Sequence, residues 1–176
     1  MGMDVRLERV RGIFERSSVA LTLADLDSPD APLVLANERF ESLCGYSFSE
    51  TAGRNCRFLQ GEEENEAARA EIRHAIETQS EAQVILRNVR KDGTRFDNLL
   101  FLHPVGVGGS KSRYMLGSQF ELQAADKVTE GAVAHAGALS SELEKIGAVA
   151  ERLRMQRRRY LADASAALVT AWARRI

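Results

Sequence analysis

Few residues in this 176-residue chain mark it as disulfide-linked, metal-binding or membrane-spanning. Its two cysteines, Cys44 and Cys56, are too few for a disulfide framework and lack the Cys-x-x-Cys spacing of zinc and redox sites. No apolar run approaches the roughly 20 residues of a membrane helix. The first ten residues carry four charges, unlike a secretory signal. We therefore expect a cytoplasmic protein, without membrane attachment, that folds without metal or disulfide.

The composition changes along the chain. All three prolines and all seven phenylalanines precede residue 121, whereas residues 126–176 contain twelve alanines and no proline. Proline and aromatic residues suit a compact core with turns, and alanine favours helix. We therefore expect an N-terminal helical cap over residues 1–17, a core over residues 18–123 and a helical extension over residues 124–176.

Hydrophobic spacing predicts an α+β core. Apolar residues recur every three to four positions in the first 17 residues and again over residues 65–78, as in helices that pack on one side. Asn65 is expected to cap the second of these helices. Short apolar runs bounded by turn residues predict strands over residues 19–23, 33–35, 84–89, 96–103 and 114–122. This order predicts a five-stranded antiparallel sheet with helices on one face.

The most informative segment is Gly-Arg-Asn-Cys-Arg-Phe-Leu-Gln at residues 53–60. A lone cysteine is usually a small buried apolar residue, which is our interpretation of Cys44. Cys56 differs because amide side chains and Arg57 flank it, and Arg73 lies on the next predicted helix. These residue types place a thiol beside an anion-binding patch and beside amides that can bind a polar ring.

This segment resembles the hallmark of LOV domains, the flavin-binding, blue-light-sensing branch of the PAS fold. The family pattern Gly-x-Asn-Cys-Arg-Phe-Leu-Gln matches here at every position. The resemblance covers about residues 18–123, and the helical flanks resemble those of short bacterial LOV proteins without a fused effector. Four distant positions also match in the family's order: Arg73, Asn88, Asn98 and Gln119.

The resemblance implies a non-enzymatic blue-light receptor in which Cys56 adds through sulfur to flavin C4a. Gln119 is then the switch residue that faces flavin N5. Because residues 61–72 contain no insertion relative to plant-type LOV domains, FMN is expected rather than FAD. The implied phosphate contacts are Arg57, Arg69 and Arg73, and the implied polar contacts to the ring and ribityl chain are Asn55, Gln60, Asn88 and Asn98. The other implied cofactor-binding positions are Thr22, Leu59, Ile72, Leu100, Leu102, Met115 and Gly117.

Thr22 departs from the family pattern. It stands where many LOV domains have valine or isoleucine near the reactive sulfur. We expect looser packing there and access of water to N5, so that Thr22→Val slows the thermal return to the dark state.

The tail is predicted to carry the output. An apolar seam runs through Leu139, Leu143, Ile146, Val149 and Leu153. A second apolar set follows the polar residues 156–159, so a helix–turn–helix hairpin is predicted. With the N-terminal stripe of Leu7, Val10, Ile13 and Phe14, this seam predicts a homodimer that weakens in the light. An unidentified downstream protein is the other expected partner.

Two other functions use the same features. One is a flavin or thiol redox sensor, and the other is a DNA-binding light regulator that uses the C-terminal helices. Nucleic acid is not the expected partner, because the formal net charge is −1 and six carboxylates share the tail with Arg157, Arg158 and Arg159. No glycine-rich phosphate loop with its lysine and no His-x-x-x-His pair is present, so neither a kinase nor a metal site is predicted.

Overall fold

The computed structural model describes residues 5–105, 112–122 and 139–173, with side chains over residues 10–105, 112–122 and 151–171. It has the predicted α+β architecture. The elements in chain order are α1 (Val5–Arg16), β1 (Ala20–Asp25), β2 (Leu33–Ala36), α2 (Glu38–Cys44), α3 (Phe48–Thr51), a short 3-10 helix (Cys56–Gln60), α4 (Glu66–Thr78), β3 (Ala82–Val89), β4 (Arg95–Val105), β5 (Tyr114–Leu122) and α5 (Leu139–Ala173). None of the described helices is long and apolar enough to span a bilayer.

The five strands form one antiparallel sheet in the order β2-β1-β5-β4-β3, which confirms the predicted sheet. The last strand in sequence, β5, is therefore central. Its Gly117 lies between Thr22 of β1 and Leu102 of β4, and Gln119 lies opposite Leu100. Side chains alternate between the two faces of a strand. The register consequently gathers residues from three strands on one face of the sheet.

The two faces of the sheet pack against different helices. One face carries a cluster that includes Leu21 and Leu116 together with Phe14 of α1 and Val169 of α5. The other face packs against α2 and the 3-10 helix through a cluster that includes Phe40. Val10 and Phe14, predicted for a dimer seam, are thus buried within the same chain, while Leu7 lies outside the described side chains.

Asn37 connects the N-terminal helix to the core. Its buried side chain caps α2 by accepting from the backbone N–H of Phe40 at 3.1 Å, and it donates to the carbonyls of Phe14 and Val19 at 2.9 and 2.8 Å. Buried amides of this kind are stabilising when every donor and acceptor is used. Asn37 therefore fixes the point at which α1 enters β1.

Asn65 occupies the predicted capping position of α4, but its side chain does not cap the helix. It exchanges two hydrogen bonds with the backbone of Arg87, at 2.9 and 2.8 Å. The capping prediction was wrong because a neighbouring strand offers both a donor and an acceptor. The result is that α4 is tied to β3 and its Ile72 and Ile76 face the interior space described below.

The predicted helical hairpin in the tail was also wrong. Helix α5 runs without interruption from Leu139 to Ala173, through residues 156–159. Those residues are good helix formers and include neither glycine nor proline, so nothing local breaks the helix. Of the predicted seam, Leu153 is 59% exposed, and Leu139, Leu143, Ile146 and Val149 lie outside the described side chains.

Candidate functional site

A cavity of about 510 Å³ lies between one face of the sheet, the 3-10 helix and α4. This volume is in the usual range of small-molecule sites, about 300–1,000 Å³. The structure brings together nearly all of the predicted site residues here. Those that line the cavity are Thr22, Asn55, Cys56, Arg57, Gln60, Arg69, Ile72, Arg73, Asn88, Asn98, Leu100, Leu102, Met115, Gly117 and Gln119.

Leu59 is the exception among the predicted cofactor-binding residues. It is only 1% exposed and packs in the cluster with Leu33, Phe40 and Cys44, while the adjacent Gln60 lines the cavity. An apolar side chain at this point of the 3-10 helix gains more from the core than from a polar cavity. Its predicted contact with the cofactor stays a prediction.

Seven lining residues were not predicted from the sequence, although periodicity could have found three of them. Ala24 follows Thr22 by two residues, and Leu86 precedes Asn88 by two, the spacing of one strand face. Ile76 follows Ile72 by four, the spacing of one helix face. The remaining unpredicted lining residues are Leu26, Ala31, Leu33 and Gly61.

Two buried amides present unused acceptors. The Oδ1 atoms of Asn88 and Asn98 have no hydrogen-bond partner in the described part of the chain, although both side chains are buried. Buried polar atoms in proteins are normally paired. Both residues line the cavity, so a ligand that presents N–H donors there would complete them. The pyrimidine edge of a flavin, with its N–H between two carbonyls, fits this donor and acceptor set.

Gln119 is held at both ends of its amide. Asn98 Nδ2 donates to Gln119 Oε1 at 3.1 Å, and Gln119 Nε2 donates to Thr22 Oγ1 at 3.2 Å. All three side chains are buried. The bonds connect β4, β5 and β1, so a change at Gln119 acts on three strands at once.

Gly117 leaves the space that this arrangement needs. A Cβ atom at residue 117 would lie 2.7 Å from Thr22 Oγ1 and 3.3 Å from Leu100 Cδ1. The first distance is far below an ordinary contact, so any side chain would displace the Thr22 hydroxyl or narrow the cavity. The absence of a Cβ here is consequently part of the shape of the site.

Cys56 begins the 3-10 helix at the cavity wall. Asn55 precedes it, and the side-chain oxygen Oδ1 of Asn55 accepts from the backbone N–H of Arg57 at 2.9 Å, which caps the start of the turn. Burial, with a smaller contribution from Cys44, raises the pKa of the Cys56 thiol to about 12. Cys56 is therefore a neutral thiol with its proton at physiological pH, and both cysteines are free.

Three arginines line the cavity from two elements. Arg57 pairs with Asp30, and both side chains are more than half exposed. The Nε atom of Arg69 donates to the side-chain oxygen Oε1 of Gln60, and Arg73 lies one helical turn further along α4. Exposed ion pairs contribute little stability. Arg57 can therefore exchange Asp30 for a phosphate, and guanidinium groups match phosphate geometry.

A polar cluster joins the opposite side of β4 to α5. His103 is buried, and its Nε2 atom lies 3.0 Å from Asp163 Oδ1. The Nη2 atom of Arg159 lies 3.5 Å from Glu81 Oε2, and its Nε atom lies 3.8 Å from Asp163 Oδ2. Glu81, His103 and Asp163 place ligand-type atoms within 4.8 Å of one another. The Arg159 guanidinium already balances both carboxylates, which makes the cluster a contact between helix and sheet.

A protein-family model and a solved structure both match this chain. The PAS domain family model matches residues 18–120. The crystal structure of the Rhodobacter sphaeroides LOV protein is 53% identical, with a TM-score of 0.67, and the match covers 97% of this chain and 98% of that one.

Two curated proteins match the core. A blue-light-activated histidine kinase of Rhizobium johnstonii is 44% identical over 109 residues, which are 62% of this chain and 32% of that protein. A blue-light photoreceptor of Listeria monocytogenes is 44% identical over 89 residues, 51% of this chain and 35% of that protein. The chain thus spans about a third of the length of these two relatives.

Proposed function

The chain belongs to the LOV branch of the PAS domain family, and on that basis we propose that it is a blue-light photoreceptor that binds FMN. The observation that supports this most directly is the cavity itself. It combines the neutral thiol of Cys56 with the two unpaired amide oxygens of Asn88 and Asn98. A reactive sulfur beside acceptors for a flat polar ring is what a light-driven reaction with a flavin requires.

The residues present fit FMN at three places. Asn88 and Asn98 would hold the pyrimidine edge, and the apolar walls, which include Ile72 and Leu100, would contact the ring faces. Asn55 and Gln60 would contact the ring and ribityl chain. The arginine group of Arg57, Arg69 and Arg73 would hold the terminal phosphate.

When bound and excited by blue light, FMN supplies an acceptor carbon, C4a, for the Cys56 sulfur and an acceptor nitrogen, N5, for the thiol proton. Cys56 contributes both parts of its S–H group, so no external acid is needed, and thermal reversal in the dark returns the proton to sulfur. Because the pKa of Cys56 is raised to about 12, the proton is on the sulfur before light arrives. The free thiol fits a reducing compartment such as the cytoplasm.

An absorption spectrum before and after blue illumination tests the proposed function. We expect the blue absorption band of the purified protein to bleach and then to recover in darkness. A redox sensor would instead bleach only when a reductant is added, and its spectrum would recover with oxygen rather than with time alone. A protein that retains no flavin, or whose flavin band is unchanged by light, would contradict the proposal.

The cofactor is expected to be FMN rather than FAD. Chromatography of the flavin released by denaturation should show mainly FMN, and mostly FAD would contradict the assignment. Arg69→Ala should weaken FMN retention by roughly ten- to a hundredfold, since a charge-assisted hydrogen bond is typically worth about 1.5–3 kcal/mol and Arg57 and Arg73 remain. Flavin titration of the stripped protein measures this. The matched control is Arg95→Ala, because Arg95 pairs with Glu63 at the surface and does not line the cavity.

For the output, we propose that residues 18–123 sense light and that the flanking segments 1–17 and 124–176 transmit the signal to an unidentified protein partner, without an enzymatic step by this chain. The contact between α5 and the sheet supports this route. On β4, Leu102 lines the cavity while the next residue, His103, reaches Asp163 on α5 from the opposite face. A shift of β4 in response to light therefore acts directly on α5.

Asp163→Asn is expected to loosen α5 from the sheet. The substitution replaces the charged partner of buried His103 with a neutral amide, and a hydrogen bond to a charged group is worth about 1 kcal/mol more than one to a neutral group. Backbone amides of α5 near residue 163 should then exchange with deuterium several-fold faster in the dark, approaching the parent protein's rate in light. Hydrogen-exchange mass spectrometry measures both. The control is Asp27→Asn, at an exposed side chain on the β1–β2 turn, which should leave the deuterium exchange of α5 unchanged. If Asp163→Asn also leaves that exchange unchanged, the contact between His103 and Asp163 does not transmit the signal.

We further propose that the chain forms a homodimer whose stability changes in light. The exposed face of α5 supports this, because Leu153, Tyr160 and Leu168 are 59%, 73% and 56% exposed. Their spacing of seven and eight residues places them on one side of the helix. A second copy of the chain is the simplest partner for such a stripe.

A further inference from the structure

The hydroxyl of Thr22 is a direct partner of the switch amide. Its Oγ1 accepts from Gln119 Nε2 at 3.2 Å, while Asn98 holds the other end of the same amide at 3.1 Å. The contact is diagonal in the sheet, since Thr22 pairs with Gly117 and Gln119 pairs with Ala20. Gly117 makes the contact possible, because a Cβ there would lie 2.7 Å from Thr22 Oγ1.

A threonine hydroxyl differs from a valine or isoleucine side chain in one chemical respect that matters here. It can accept one hydrogen bond and donate another, and its proton rotates to suit the partner. If the Gln119 amide turns end for end, Oε1 takes the place of Nε2 beside Thr22. The hydroxyl then donates to Oε1 instead of accepting from Nε2. An aliphatic side chain would leave the buried amide without a partner at that end in both orientations.

We propose that Thr22 is a positioning residue for Gln119: the Thr22 hydroxyl is a partner for the amide in either orientation, so the amide can turn without losing its bond at that end, and the return to the dark state is faster. This inference rests on the proposed light reaction. It replaces the looser packing expected from the sequence with a specific hydrogen bond. The proposal predicts that the effect of Thr22 on recovery passes through Gln119 and through no other residue of the cavity.

A double-mutant cycle on the full chain tests the coupling. Thr22→Val is nearly isosteric and removes only the hydroxyl. It should slow dark recovery by roughly three- to tenfold, the range of one net hydrogen bond. In a Gln119→Leu background the same change should have little effect, because the partner is gone. Thr22→Ser keeps the hydroxyl and should recover more like the parent than like Thr22→Val.

A second measurement does not depend on the light reaction. In the dark, with and without FMN, NMR should show that the Gln119 side-chain amide protons shift and exchange faster with water in Thr22→Val than in the parent. Equal slowing by Thr22→Val in both backgrounds, or unchanged Gln119 amide signals, would overturn the inference. Failure of the parent protein to bleach would instead contradict the proposed photoreceptor function, so the two failures are distinct.

Discussion

Cys56→Ala is expected to abolish light-induced bleaching completely while the protein still binds FMN and fluoresces. Cys56 is the only thiol that lines the described cavity, because Cys44 packs in the apolar cluster with Leu33 and Phe40. Without the sulfur there is no atom to bond to C4a and no proton to transfer. The amides and arginines that would hold the cofactor are untouched. Absorption spectra under blue light and steady-state flavin fluorescence measure the two halves of the prediction.

Cys44→Ala is the matched control. It removes the other thiol of the chain, from a position with no exposed surface, and should bleach like the parent at a cost of about 1 kcal/mol in stability. Normal bleaching in Cys56→Ala would exclude the sulfur reaction. Loss of bleaching in both variants with the flavin retained would show that the alanine changes act through the fold rather than through the sulfur.

Gln119→Leu is expected to separate the light reaction from the output. The variant keeps Cys56 and should still bleach, but it should lose most of the light-dependent change in oligomeric state. Leucine has nearly the same size and bonds to neither Asn98 nor Thr22, so the cross-strand connection through β5 is removed. We expect the parent to be a dimer in darkness that shifts towards monomer in light. The variant is expected to have nearly the same oligomeric state in darkness and in light.

Small-angle scattering and size-exclusion chromatography, in darkness and under continuous blue light, measure this change. A parent that is monomeric in both conditions would contradict the dimer proposal without affecting the light reaction. A full light response in Gln119→Leu would agree with the dimer proposal and would show that Gln119 does not transmit the signal. Bleaching should be recorded on the same samples, so that a loss of response is not confused with a loss of flavin.

The relative contributions of sequence and structure are clearest in the strands. Strand β5 runs from Tyr114 to Leu122 as the apolar run predicted, and the other four strands lie within a few residues of their predicted bounds. Alternation with a period of two is a local property that each strand carries in its own residues. The eight-residue motif at residues 53–60, which is also local, carried the family resemblance, and that resemblance implied the grouping of Cys56 with the distant amides and arginines.

Asn65 and Leu59 depart from the expectations drawn from the sequence for one physical reason, which is competition from residues distant in sequence. Asn65 has the side chain of a helix cap, but the backbone of Arg87 on β3 offers it two bonds. Leu59 belongs to the motif, yet a core cluster built from β2 and α2 buries it. Phe14 of the N-terminal stripe is covered by the sheet and by α5 of the same chain, which only the packing of distant elements decides.

The sequence alone therefore determined the fold class, the sheet and the residue types of the cavity, because periodicity and the motif are encoded within short segments. Only the tertiary structure decided how those residues bond to one another. Thr22 and Gln119 are 97 positions apart, and the register of β1 against β5 brings their polar atoms to 3.2 Å. Likewise, Asp163 meets His103 because α5 stays helical across residues 156–159 and lies on the sheet. Hydrogen bonds act over about 3 Å, so chain packing alone decides which of the possible partners meet.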